Sequence, residues 1–302
     1  MPLVGAAGIG SMLGSGIIIG LSATITVWQS GLGLTDGQVG ILSGALTFAI
    51  AAGSLLAGNI TKLFGLIRSF NMMNLMYLIG AAICVLSGNF PVLLAGLIIT
   101  GFASGADLPI SLTVISHDAP NEKVSASLIA STQVFWQIGV LGSYAMAFIV
   151  SHVEGAAGAR MVFALLAVLA GIAFVWRTFS KKFKEFHAAG DEYRAAEGTK
   201  TSTEVSFASL FKGTDGKKYV SFFSCIIIFY VCWNLLANTF GQFQTYILVK
   251  ANASQSLATG CGIVLNIVGL ICGILFASAA GSKHRNKFFY VGIVIQAGAM
   301  IG

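Results

Sequence analysis

The chain has 302 residues, 56% hydrophobic and only 9% charged, with a formal net charge of +6 and a mean hydropathy of +0.86. Soluble domains carry about 25% charged residues, so an ordinary soluble domain is excluded. Apolar runs of about 20 residues recur with almost no charge inside them, each long enough to cross a bilayer.

Spans are expected at residues 5–28, 39–59, 69–88, 91–115, 125–151, 161–178, 219–248 and 257–280, and a ninth starts at Phe288 and is cut off at Gly302. A spanning segment must satisfy its own backbone hydrogen bonds in lipid, and barrel strands would be shorter with alternating polarity. The expected fold class is therefore all-α, a polytopic bundle of eight complete spans plus part of a ninth. The last run, "FFYVGIVIQAGAMIG", is shorter than a span, which leads us to expect a fragment of a longer, twelve-helix chain.

The first span, "GAAGIGSMLGSGIIIGLSATITVW", lacks the basic lead-in of a signal peptide and is read as a membrane helix. Near its end Ser22, Thr26 and Gln29 recur at helical spacing beside Trp28. "GLGLTDG" at 31–37 has no strand before it and its third glycine is misplaced for a nucleotide loop, so it is a turn. Gly40 and Gly44, like Gly10 and Gly14, Gly16 and Gly20, Gly101 and Gly105, and Gly269 and Gly273, are spaced by four, which lets helix backbones approach closely. Packing is the expectation for all of them.

The fourth span holds "GFASGADLPIS", with Asp107 as its one acid. At about 1.5 Å per residue it lies on the order of 13 Å deep, near the middle of a core roughly 30 Å thick. An ionised Asp there costs about 3 kcal/mol, so it should face the bundle interior and be able to carry a proton. Pro109 has no N–H for the carbonyl of Gly105, which leaves an acceptor free one turn back. The fifth span presents Gln133, Gln137 and Tyr144 on one stripe with Trp136 alongside. The seventh presents Tyr230, Asn234, Asn238 and either Gly241 or Gln242.

Between these blocks the chain turns polar from about Arg177 to Lys218. This divides it into an N-terminal six-helix half at 1–178, a solvated linker at 179–218 and an incomplete second half at 219–302. Arg177 is read with the linker, so no Arg or Lys is expected inside a span, and a strongly anionic solute would find no buried cation. With the linker and the N-terminus placed in the cytoplasm, only Arg160 and Lys250 of the 17 Lys and Arg face outward, as the positive-inside rule requires. The basic balance then reflects anionic lipid next to the loops, and no nucleic-acid partner is expected. Cys84, Cys225, Cys232, Cys261 and Cys272 all lie in apolar spans without metal spacing and are expected to be small packing residues.

After the second span, "GNITKLFGLIR" resembles the signature between helices 2 and 3 of the major facilitator superfamily. Gly58, Gly65 and Arg68 match, while Lys62 stands at the acid position. "GADLP" also resembles the Gly-Asp-aromatic-Pro stretch of proton-coupled phosphate and organic-solute members, with Leu108 in place of the aromatic residue. With six helices, a basic linker and a second block, the resemblance covers essentially the whole chain. It implies two parallel six-helix halves, a multi-pass cell-membrane location, a monomer, a gating role for Gly58, Lys62, Gly65 and Arg68, and secondary transport.

Polar stripes on three helices, with tryptophans near two of them, suit a wet cavity whose amides bind hydroxyls while aromatic faces stack on a ring. Substrate contacts are expected from Gln29, Gln133, Trp136, Gln137, Asn234, Asn238 and Gln242, with Trp28 as a second stacking surface and Asp107 as the proton carrier. The expected activity is transport of a small neutral or weakly charged sugar, polyol or organic solute, with symport favoured and an antiporter or exporter of the same fold as the alternative. An enzyme would need clustered acids, histidines or an activated nucleophile. His117, His152, His187 and His284 all sit at loops or span ends, so no catalysis, cofactor or metal is expected. A receptor or structural membrane protein would not need converging polar stripes.

Overall fold

The computed structural model describes residues 2–119, 122–153, 155–196, 216–280, 287, 290–295 and 298. Among them are nine long helices and no strand: α1 (Pro2–Leu32), α2 (Asp36–Phe64), α3 (Leu66–Leu86), α4 (Phe90–Asp118), α5 (Glu122–Ile149), α6 (Ala157–Phe179), α7 (Lys181–Ala196), α8 (Gly216–Lys250) and α9 (Gln255–Ala280). Residues 290–295 are also helical, and the rest of the span expected from Phe288 lies mostly outside the described residues. Among the described residues, six helices are long and apolar enough to cross a membrane: most of α1, then α2, α3, α4, α6 and the first part of α9.

Helix α1 is buried nearly all round from Ala7 to Trp28, as an apolar helix at the centre of a bundle must be. Its small residues admit neighbours at close range, and the core that contains Leu13, Ile17, Leu21 and Trp28 also takes in Tyr77 of α3, Leu97 of α4 and Phe163 of α6. Glycine pairs bring α2 onto α4 backbone to backbone. A Cβ on Gly105 would lie 2.0 Å from the carbonyl oxygen of Ile50, and one on Gly53 would lie 2.1 Å from that of Phe102. Gly40 and Gly44 behave differently from expectation, because no atom comes within 4 Å of a Cβ on either.

Two local expectations are corrected. The segment carrying Gly58, Lys62, Gly65 and Arg68 is helical except at Gly65, which ends α2 and starts α3 as a single residue. Its φ of +84° and ψ of 153° lie in a region open almost only to glycine. The polar linker is not wholly solvated either, since its first part forms the 16-residue helix α7. Phe183 of α7 is buried against Trp176 of α6, with ring centroids 5.5 Å apart.

Candidate functional site: a buried charge pair and a groove of amides

Asp107 is buried, as its sequence setting demands, but it is not without a counter-ion. Arg177 of α6 donates from Nη1 to Oδ1 at 2.6 Å and from Nη2 to Oδ2 at 3.2 Å, with both side chains out of solvent. The expectation of no cation within a span is thereby overturned. Arg177 follows Trp176 inside α6, and its buried position turns it into the bundle. Its other donors are also engaged. Nη1 reaches the carbonyl of Phe70 at 3.0 Å, and Nη2 lies 3.4 Å from Ser111 Oγ, which itself donates to Asp107. With the Asn74 amide oxygen turned toward the guanidinium, it accepts from Nε at 3.0 Å and from Nη1 at 2.6 Å. The guanidinium carbon lies 3.8 Å from the centre of the Phe70 ring. Gly10 of α1 closes the site from the other side, where a Cβ would fall 2.0 Å from Asp107 Oδ2. Four helices thus meet at one ion pair. The acceptor freed by Pro109 is taken as well, because Ser54 Oγ of α2 donates to the carbonyl of Gly105 at 2.8 Å.

Sequence reasoning missed Arg177 and Asn74. The usable signals were an arginine at the end of an apolar run, and an asparagine in helical register with Phe70 and Tyr77 inside the third span.

The second centre lies between α2 and α8, where a groove of about 540 Å³ is lined by Asn234, Asn238 and Gln242 together with Gly40, Gly44 and Thr47. The amides form a ladder along α8. Asn234 Nδ2 donates to the carbonyl of Tyr230 at 2.9 Å, Asn238 donates to Asn234, and Gln242 Nε2 crosses to Thr47 Oγ1 of α2 at 2.9 Å. Gln242 lies roughly 12 Å along its helix from Lys250, and Thr47 roughly 16 Å from Asp36, which puts the groove near mid-depth of a bilayer core.

The remaining expected contacts are elsewhere. Trp28 is fully buried, edge-on to Phe163 at 5.7 Å, and offers no stacking face to a solute. Gln29 donates to Asp36 Oδ1 at 2.6 Å at the helix end. Gln133 is exposed on α5 and Gln137 and Trp136 are half-buried there, and none of the three lines the α2–α8 groove. A Cβ on Gly14 of α1 would lie 3.4 Å from the Trp136 ring. Tyr144 is buried, its ring within 2.3 Å of a Cβ built on Gly262 of α9. Lys62 and Arg68 form no ion pair among the described residues. The five cysteines are free, and only Cys84 is fully buried.

The polar contacts that tie α8 and α9 to the first six helices cluster toward one end. Ser22 donates to the carbonyl of Gly241 at 2.8 Å, and Thr26 to Gln255 Oε1 at 2.6 Å, while Gln255 Nε2 returns to the carbonyl of Ala23 at 2.7 Å. Lys250 Nζ meets Asp36 Oδ1 at 3.1 Å. Toward its other end α8 is exposed from Val220 to Tyr230.

A multi-pass helical membrane protein with a buried charge pair and an amide-lined groove at mid-depth is the class that fold and site define. The family model of the Major Facilitator Superfamily matches residues 4–302, and the chain belongs to that superfamily. It is 30% identical over 292 residues to the Minor myo-inositol transporter IolF of Bacillus subtilis, covering 94% of this chain and 64% of that protein. The D-xylose-proton symporter-like 2 of Arabidopsis thaliana is 26% identical over 153 residues, half of this chain and 30% of that protein. Among solved structures, the xylose transporter XylE from E. coli in a partially occluded inward open conformation superposes with a TM-score of 0.70 at 14% identity, covering 93% of this chain and 73% of that one. At that identity the likeness speaks for the fold. The relatives are transporters, so the expectation of no enzyme agrees with their class.

Proposed function

We infer that the chain serves proton-coupled, alternating-access movement of a small neutral sugar or polyol across a cell membrane. The observation that carries this reading is the amide ladder of Asn234, Asn238 and Gln242 facing a groove at mid-depth. Amides beside a hydroxyl and aromatic rings suit a polyhydroxylated ring, and among the described residues no charged side chain lines the groove to hold an anion. The names of the relatives, a myo-inositol transporter and a D-xylose-proton symporter-like protein, support the same solute class. Gln29, Gln133, Trp136 and Gln137 join the solute path in this reading only after the bundle rearranges.

Asp107 is the proton site, with Arg177 as its competitor for the carboxylate. When the proton binds, the guanidinium keeps the Phe70 carbonyl, Asn74 and the Phe70 ring, which offset part of the lost pairing. Gly58, Lys62, Gly65 and Arg68 serve as the gating segment. The linker at 179–218 and the N-terminus face the cytoplasm on the strength of the basic residues at that end, and one copy suffices.

The test is uptake into vesicles. Asp107→Asn fixes the neutral form, so solute should still exchange across the membrane while a pH gradient no longer drives accumulation. Gradient-driven accumulation by this variant at the wild-type level would remove Asp107 from the coupling step.

A further inference from the structure

Gly40 and Gly44 have the spacing of a helix-packing pair, yet nothing packs on them: a Cβ on either would meet no atom within 4 Å. Gly101 and Gly105, with the same spacing on α4, have α2 backbone pressed against them. The open pair on α2 instead fronts the groove whose far wall is the amide ladder of α8. One polar bond spans the two walls, from Gln242 Nε2 to Thr47 Oγ1.

Within the ladder, Asn234 and Asn238 each use an amide N–H on a neighbouring acceptor, and Asn238 Oδ1 and Gln242 Oε1 accept no hydrogen bond among the described residues. The chemistry left over on α8 is therefore carbonyl acceptors together with the second N–H of each amide, a mixed set that suits hydroxyl groups. Thr47 uses Oγ1 twice, accepting from Gln242 and donating to the carbonyl of Ser43 at 3.0 Å. Its remaining lone pair can accept from a solute hydroxyl. A ring bearing several hydroxyls satisfies both walls. The side-chain-free floor at Gly40 and Gly44 lets the flat face of that ring approach backbone, and Phe48 and Phe243 flank it with apolar surface for its C–H faces.

We propose that α2 forms the selective wall of the solute site, with Gly40 and Gly44 as its floor and Thr47 as its polar reader of a neutral polyhydroxylated ring. This rests on the reading of the groove as the solute site. The wall residues, however, are tested separately from that reading.

The experiment measures binding of myo-inositol and of D-xylose to the full chain reconstituted in proteoliposomes. Gly44→Leu introduces a side chain into open space, so the fold has room for it while the groove does not. Its Kd for the bound probe is expected to rise at least about tenfold. Gly142→Leu on α5, where a Cβ also meets nothing within 4 Å, controls for a leucine placed on an open helix face and should leave the Kd unchanged. Thr47→Val keeps the shape and removes the hydroxyl. It should raise the Kd several-fold and alter the preference between the two probes, and it keeps the test in force if Gly44→Leu fails to fold.

Wild-type affinity in both Gly44→Leu and Thr47→Val would overturn the α2 wall while leaving the transport reading intact. A wild-type protein that binds neither probe would overturn both.

Discussion

Arg177 uses its donors on Asp107, Ser111, Asn74 and the Phe70 carbonyl, so the buried charges of α4 and α6 depend on one another. Removing one partner of such a pair costs about 3–5 kcal/mol, because the other is left uncompensated, whereas replacing both is often close to neutral. Arg177→Gln should therefore destabilise the protein by that amount, and Asp107→Asn combined with Arg177→Gln should recover most of the loss. Thermal unfolding in detergent measures both. Equal losses in the single and double variants would show that the two charges do not compensate each other. From the sequence, Asp107 was legible as a buried acid because a lone carboxylate in hydrocarbon has few other places to go. Arg177 was not, because it precedes "TFSKKFK", where an arginine reads as part of a solvated basic run. Only the turn of α6 into the bundle assigns it to the interior.

At the scale of an element, α7 shows how a charged helix can dock. Its exposed face carries Lys181, Lys182, Lys184 and Glu185, while Phe183, His187 and Gly190 turn inward at helical spacing. His187 Nδ1 pairs with Asp118 at the end of α4, and His117 Nδ1 meets the other Asp118 oxygen at 2.7 Å. Gly190 fits against His117, where a Cβ would lie 2.9 Å from the carbonyl oxygen. Gly190→Leu should therefore lift α7 from α4, and the amide exchange protection of α7 should fall by about tenfold or more, since contacts of this kind contribute on the order of 1–2 kcal/mol. Unchanged protection in α7 would show that Phe183 and the His187–Asp118 contact hold the helix without the close fit at Gly190. The spacing of the inward residues was present in the sequence. The high charge density outweighed it, because a short amphipathic helix resting on the end of a bundle has the composition of a linker. Spans are easier to read, since length and apolarity alone define them. The facing ends of α2 and α3 still extended beyond the expected spans, because helical hydrogen bonding continues past the apolar core until Gly65 ends it.

For the molecule as a whole, the seam at one end holds α8 and α9 against the first six helices. Lys250 and Asp36 cross it in the open, helped by Gln29 on Asp36 and by the Tyr246 ring 5.5 Å from the Lys250 ammonium. Exposed pairs of this kind contribute little and are screened by salt, so this one adds a weak latch to the seam that Ser22, Thr26 and Gln255 also tie. Lys250→Gln is expected to raise the labelling rate of Thr26→Cys by an impermeant thiol reagent a few-fold, in a background without the native cysteines. Exchanging the two charges, Asp36→Lys with Lys250→Asp, should return the rate toward wild type. A swap variant that labels as fast as Lys250→Gln would mean the pair has no part in holding the seam. The groove itself was half legible. The α8 amides were expected on the solute path, but their facing wall was not, since two glycines and a threonine carry no signal until the neighbouring helix leaves them bare.

The single residue between α2 and α3 leaves a joint with no play. Helix α2 runs unbroken from the groove at Gly44 to Gly65, roughly 32 Å along its axis, and five residues later α3 presents Phe70 to the guanidinium of Arg177. On the proposed reading of the groove as the solute site, a tilt of α2 at one end would be carried over this lever toward the charge pair at the other, with no loop between the two helices. Two glycines inserted after Gly65 should therefore leave solute affinity in place while lowering the number of protons carried per solute. An unchanged stoichiometry would show that the two centres communicate by another route.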